Sequence, residues 1–320
     1  MDAQSRYHPD QDQTDLAETF SDALADLLPI ARLHDAPMET DTIREQLTDL
    51  GLFSITRSEA EGGSGLGIVE ECLIATTLGR QLVAPGIIAT LGAQSLPGLP
   101  MGARVATACY EGGQRVAIDP QGADLLLLLR REDGPQLLPM EGLEFQPVET
   151  ELWLSGLYSV TGSPTPLAEG DTRTLLRLRL IDAAVLAGLA HAAQDMGVAY
   201  AQVREQFGRP IGSFQAVKHS CANMAIATRS ARDQVSFAAV ALDAGRPDAA
   251  LQVESALFVA IDAALDNAGR NIQIHGGMGF SDEADAHLVL KRARTFAAIA
   301  GGAEKALDRI AALPSPFLDG

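Results

Sequence analysis

Apolar residues recur at helical spacing over residues 15–98. DLAETFSDALADLLPIARLH is amphipathic, and DTIREQLTDLGLF places Ile43, Leu47 and Leu50 on one face. ITRSEAEGGSGLGIVEECLIATTLGRQL then runs through a Gly-rich turn into a helix carrying Ile68, Cys72 and Leu73. Between 104 and 165 the pattern changes to short β-rich runs: RVATACY, QRVAI, DLLLLLR, QLLPM and LYSVTG. Gly, Pro and Asp separate them, which predicts a small antiparallel β region with Trp153 in its core. From 170 to 312 the helical period returns in four stretches with short connections. The first runs from Asp171 to Gln206, the second ends at Gly245 as a C-cap, and the fourth breaks near Gly301-Gly302. The pattern predicts a mainly α chain with a small β insert and a C-terminal four-helix bundle. The expected divisions are a loose tail over 1–14, helices over 15–103, the β segment over 104–168, the bundle over 169–313 and a tail over 314–320.

Composition narrows the function classes. With 320 residues and 47% hydrophobic residues, the chain can bury a large core. The run at 125–130 is far too short to span a membrane and reads as a buried strand. The polar, acidic N-terminus is not a signal peptide, and the three scattered cysteines form no disulfide framework, so the cytoplasm is the expected compartment. Six histidines show no zinc-type spacing, and no metal is expected. A net charge of −18 argues against nucleic acid and anionic membranes as partners. It leaves room for an anionic cofactor, which needs only a few local donors. GGSGLG is no P-loop, because no Gly-Lys-Ser/Thr follows; it reads as a tight turn.

The break at REQFGRPIGSFQ, 204–215, carries chemistry. Pro210 and two glycines end one helix before the next begins. Arg204, Phe207 and Gln215 are left around the turn: a cation, an aromatic face and an amide. Together they suit a phosphate joined to a ring. A polar helix corner is the plainer reading of these residues alone.

Three stretches resemble the acyl-CoA dehydrogenase family. They are LGLFSITRSEAEGGSGLGIVEECLIATTLGR, YAQVREQFGRPIGSFQAVKHSCANM and QIHGGMGFSDEADAHLVLKRAR. The second matches an R-x-x-F-G…F-Q signature and the third a Q-x-x-G-G-x-G-F signature. The resemblance implies FAD lying across a subunit boundary. Arg204 would then pair with the pyrophosphate, Phe207 would pack on the cofactor and Gln215 would bond to it. Gln273 and the Gly276-Gly277 backbone would approach the adenosine end, where a missing Cβ permits contact. Gln206 stands where many relatives have a small hydroxyl residue, and His219 and His275 read as packing residues.

Two departures from the family pattern matter. Its reaction needs a carboxylate to take the α-proton of an acyl-CoA thioester. One family position for that base falls here on Ala300, with Gly302 in place of a threonine, and the other on Leu178. Asp182 and Glu304 each lie one helical turn beyond and are the candidate substitutes. Arg179 matches an arginine near the thioester in relatives, but Leu176 replaces its aspartate companion. The family's flavin-binding T-E-P-x-x-G-S-D and W-x-T-N-like stretches are also missing from the β segment.

Both departures match the shortened chain of bacterial α2β2 members, in which paired unlike subunits share one flavin. On that reading a full-length partner supplies the base and an electron-accepting flavoprotein reoxidises the FAD. A self-sufficient homo-oligomer using Asp182 or Glu304, and a non-catalytic scaffold, are the alternatives.

Overall fold

The computed structural model describes residues 9–35, 39–111, 113–129, 134–149 and 154–314. Trp153 and the tail over 315–320 lie outside them. Helix α1 spans Gln11–Leu27, so it takes up residues 11–14 of the expected N-terminal tail. The cause is a reciprocal cap: Asp10 accepts from the Gln13 N–H and the Gln13 side chain accepts from the Asp10 N–H, both at 3.0 Å. Pro29 then precedes a short 3₁₀ turn over Ile30–His34. Helices α2 (Asp41–Asp49), α3 (Ile68–Arg80) and α4 (Pro85–Ala93) complete the N-terminal unit. Leu47 is buried on α2, with Ile43 and Leu50 half-buried beside it, as the spacing predicts. The Gly-rich segment is a tight turn, where a Cβ on Gly63 would stand 2.3 Å from the Arg57 carbonyl.

The β segment forms a seven-stranded sheet. Its strands are β1 (Val105–Glu111), β2 (Gln114–Ile118), β3 (Leu125–Leu128), β4 (Gln136–Pro139), β5 (Glu144–Val148), β6 (Leu157–Thr161) and β7 (Ala168–Glu169). The spatial order is β5-β6-β2-β1-β3-β4-β7. The sheet is mixed rather than antiparallel, because β1 and β3 pair in parallel, Val105 opposite Leu125. The four leucines of β3 explain this: all are buried, so the strand is covered on both faces like an interior parallel strand. Leu125 and Leu127 pack with Ala89, Ala93 and Leu178, while Leu126 and Leu128 pack with Ala117, Leu138 and Val160. Strand β5, absent from the sequence reading, is a largely exposed edge that carries Pro147.

The bundle contains α5 (Thr172–Val203), α6 (Gln215–Asp243), α7 (Ala249–His275), α8 (Ala286–Ile299) and α9 (Ala303–Ala312). Gly245 follows α6 with φ 63°, and Gly301 and Gly302, at φ 88° and 85°, separate α8 from α9. The buried amide of Asn267 on α7 reaches the Ala190 and Met224 carbonyls, both at 3.1 Å, and so pins three helices together. Among the described residues, no helix is long and apolar enough to cross a membrane.

Helix α5 crosses α3 where both backbones touch. A Cβ on Gly188 would stand 2.0 Å from the Thr76 carbonyl oxygen, and one on Gly79 would stand 2.1 Å from that of Val185. Gly188→Ala is therefore expected to destabilise by about 3 kcal/mol. Gly269→Ala, at a helical site with nothing within 4 Å of an added Cβ, is expected to stabilise by about 0.5–1 kcal/mol. Urea unfolding of both variants checks this; shifts of the same sign would refute the backbone contact.

Candidate functional site

The corner at 204–215 is a small hairpin between two long helices. Arg204 caps α5 in an extended conformation, and its carbonyl accepts from the Ile211 N–H at 2.8 Å. Strands β8 (Glu205–Gln206) and β9 (Arg209–Pro210) pair across Phe207-Gly208. Both turn residues have positive φ, 55° and 77°, the geometry of a two-residue type I′ turn. A phenylalanine there is strained, and such strain gathers at functional sites. Its ring is 92% exposed. It meets Phe214 edge-on at 6.1 Å, and Arg209 lies over the Phe214 ring at 4.2 Å. Gln215 opens α6, where no side chain caps the helix. The positive end of a 29-residue helix thus begins at the same corner that Arg204 opens.

A second corner closes against the first. Gln273 is exposed on the last turn of α7, and Gly276 ends that helix with φ 61°. A Cβ on Gly276 or Gly277 would meet nothing within 4 Å, so both backbones face open space. Gly279 is different: its Cβ would stand 2.6 Å from the Ile272 carbonyl, so this glycine lets the turn fold back on α7. His275 stacks on Tyr200 with ring centroids 4.1 Å apart. Its Nδ1 lies 2.9 Å from the Asn271 carbonyl, which can only accept, so the proton sits on Nδ1. The stack joins the end of α7 to the last turn of α5, one helical turn before Arg204. His275 packs as expected; His219 does not, and is exposed on α6. Tyr200 was missed in the sequence, although its i−4 spacing from Arg204 was a usable signal.

These residues fit the phosphate end of a dinucleotide: an exposed guanidinium, an uncapped helix start, a free aromatic face and open glycine backbone. They offer no enclosure for a flavin ring.

The residues at the two family base positions meet elsewhere. Leu178 and Ala300 line one cavity of about 50 Å³ with Tyr110, Asp182, Lys305 and Arg309. A smaller one of about 20 Å³ adjoins it, again lined by Leu178 and Asp182. One benzene ring takes a cavity of about 150 Å³, so neither admits an acyl chain or a flavin ring. Leu178 fills the space against α4, where a Cβ on Gly92 would stand 2.5 Å from Leu178 Cδ2. Arg179 donates to Glu254 at 2.6 Å, and Arg309 donates to the same carboxylate at 2.8 Å. Arg179 is therefore tied, with Arg309, to a buried carboxylate. The sequence reading missed Glu254, though a glutamate on the apolar face of α7 was its signal. Glu304 is exposed on α9 and is not among the residues lining the cavity.

Asp182 is the buried carboxyl at this cavity. Burial pushes its pKa from 3.8 up to about 8, with Arg179 pulling the other way. The folded-state value lies above the unfolded one, so the protonated form is favoured inside. Asp182 thus costs stability that is absent below about pH 4 and grows as pH rises to about 8. Asp182→Asn is expected to be more stable than the parent at pH 8 by several kcal/mol and little changed at pH 4. Urea unfolding at both pH values tests this; parallel pH dependence would exclude a buried, protonated Asp182.

Comparisons with known proteins bear on the family and the fold. Residues 10–107 match the family model "Acyl-CoA dehydrogenase, N-terminal domain", and residues 171–313 match "Acyl-CoA dehydrogenase, C-terminal domain". The acyl-CoA dehydrogenase FadE34 of Mycobacterium tuberculosis is 34% identical over 295 residues, covering 83% of this chain and 41% of FadE34. The chain thus spans less than half of that relative. A solved variant of the Tcur3481-Tcur3483 steroid ACAD superposes with TM-score 0.80 at 26% identity, covering 94% of this chain and 97% of that one. The ChsE4-ChsE5 complex from Mycobacterium tuberculosis superposes with TM-score 0.79 at 22% identity, covering 97% of this chain and 100% of that one, a likeness of fold. The helical units, the intervening sheet and both family signatures place this chain in the acyl-CoA dehydrogenase family.

Proposed function

We propose that this chain is a subunit of a heteromeric, FAD-dependent acyl-CoA dehydrogenase. It grips the pyrophosphate and adenosine end of a flavin seated mainly on a full-length partner, and the partner takes the α-proton. When bound, the flavin supplies a hydride acceptor for the acyl-CoA β-carbon. This chain's part is binding and orientation. Arg204 and the start of α6 face the pyrophosphate, Phe207 covers the cofactor, and Gln215, Gln273 and the Gly276-Gly277 backbone meet the adenosine end.

The observation that carries this reading is the inner cavity. Leu178 and Ala300 hold the base positions, and about 50 Å³ leaves no room for an acyl chain. That supports service to a flavin site from outside the chain. The surface agrees: over residues 215–230 of α6, only Met224 and Thr228 are buried. Val203, Phe207, Ile226, Met278 and Phe280 are all at least half exposed on α5, α6 and the two corners. Exposed apolar residues in such number mark an interaction surface. The two solved complexes are named as pairs, and each contains a chain this one nearly covers. That supports an α2β2 assembly. The name of one, a steroid ACAD, supports a bulky acyl-CoA as substrate. An electron-accepting flavoprotein then completes the cycle.

One observation favours a second reading. A buried carboxyl with a pKa near 8 suits a general base, so a homo-oligomer working through Asp182 is the alternative. It requires the cavity to open. A non-catalytic scaffold would leave the strained Phe207 and the uncapped α6 without a use.

The deciding experiment is the visible spectrum of the purified chain, alone and co-expressed with a full-length relative. The chain alone is expected to be colourless and the complex yellow. A yellow chain with about one flavin per protomer would overturn the shared-flavin reading and favour Asp182.

Within the complex, Arg204→Gln is expected to weaken flavin retention about tenfold, as loss of one charge-assisted contact would. Flavin released during gel filtration measures it, and unchanged retention would contradict the role of Arg204. Phe207→Gly separates binding from folding. Glycine relieves the positive φ, so Tm is expected to hold or rise while flavin retention falls. A fall in Tm with retention intact would make Phe207 structural.

A further inference from the structure

A groove of about 490 Å³ lies between α1, α3 and α6, within the size range of small-molecule sites. Helix α3 is its floor from Val69 to Arg80, roughly 16 Å at 1.5 Å per residue. It begins about 20 Å along α6 from Gln215, so the flavin corner does not use it. Its two ends differ. Val69, Cys72, Leu73, Val235 and Ala239 make one end apolar. The other end gathers Arg80, Arg229, Arg232 and His191.

Charge pairing at that end is incomplete. Arg80 donates to Asp195 at 2.6 Å, and Arg229 pairs with Asp233 at 2.7 Å. Arg232 has no hydrogen-bond or ion-pair partner among the described residues. His191 lies 3.6 Å from Asp195. Three guanidiniums thus stand with three carboxylates, Asp195, Asp233 and Glu18 of α1, and Arg232 is the guanidinium among them with no carboxylate in contact among the described residues. Burial lowers the His191 pKa first; Arg80 and Arg232 lower it further, against the pull of Asp195. Arg232 is therefore the cation at that end open to an anionic partner.

We propose that this groove binds an amphiphile with a single carboxylate head and an unbranched apolar tail. The head sits at Arg232 and His191, and the tail lies along Leu73, Cys72 and Val69. One unpaired guanidinium beside one imidazole matches a monoanion. A phosphomonoester would bring a second charge against Asp195, Asp233 and Glu18.

The probe is sodium decanoate, with decanol as its neutral counterpart, titrated into the full-length chain. Imidazole NMR follows His191 while pH is varied. Decanoate is expected to saturate and to raise the His191 pKa, because a bound carboxylate favours the imidazolium. Decanol is expected to bind more weakly and to leave that pKa unchanged. Arg232→Gln, at an exposed position, is expected to weaken decanoate about tenfold. Ser236→Trp, which fills the groove, is expected to abolish binding. An unmoved His191, equal responses to the two probes, or full affinity in Arg232→Gln would each overturn the proposal.

Discussion

The backbone contact between Gly79 on α3 and Gly188 on α5 is the constraint on which the other features depend. It brings two helices closer than any side chain at those positions would allow. Alanines continue the effect: Ala183, Ala184, Ala187, Ala190 and Ala193 are fully buried along α5. Small residues leave little area per contact, so stability there comes from many close contacts along a long rod. Rigidity has a functional use. Helix α5 carries Leu178 and Asp182 near one end, His191 midway and Arg204 at the other end, about 39 Å from Leu178. One rod thus sets the positions of the inner cavity, the charged groove and the corner.

Charge is handled in two ways inside this frame. Glu39 accepts from Arg32 and the Ala84 N–H, Glu71 accepts from Arg177, and Glu254 accepts from Arg179 and Arg309. Each of these buried carboxylates joins elements that are distant in sequence. Such pairs gain little net stability, but breaking one leaves an uncompensated charge, so they make the arrangement specific. Burial outweighs the nearby arginine at two of the buried acids: the Glu71 pKa is pushed above its ordinary value despite Arg177, and that of Asp182 is pushed up to about 8 despite Arg179. Asp182 stands with Leu178 and Ala300 on a cavity of about 50 Å³, and its neutral form is the one favoured there.

Much of this was legible in the sequence. The four bundle helices, the break at Gly301-Gly302 and the Gly245 cap follow from helical period and glycine placement. The corner at 204–215 was legible because Pro and Gly interrupt helix formers there. What escaped depended on distance in space. The parallel pairing of β1 with β3 is a matter of topology, and a short leucine run says only that both faces are covered. The start of α1 at Gln11 was hidden because its Asp-x-x-Gln cap looks like part of a polar tail. The Tyr200–His275 stack joins residues 75 positions apart, and only the folded chain shows that it holds both corners together. Glu254 on the apolar face of α7 was a signal for a buried charge, but its pairing with Arg179 joins residues 75 positions apart and shows only in the folded chain.

The strain at Phe207 argues for an external ligand. Within this chain the residue gains little: its ring is 92% exposed and its backbone is in the left-handed region. Glycine there would cost less, and a polar residue would expose less apolar surface. The inner cavity shows the opposite balance, since Leu178 packs against Gly92 and Ala300 is buried beside it, both with a direct return in stability. Where a side chain serves only this chain, it follows the rules of packing. The chain departs from them at Phe207, exposed and left-handed, in the corner that also exposes Arg204. A ligand held from outside that corner would give the exposed Phe207 ring a use that this chain's own packing does not.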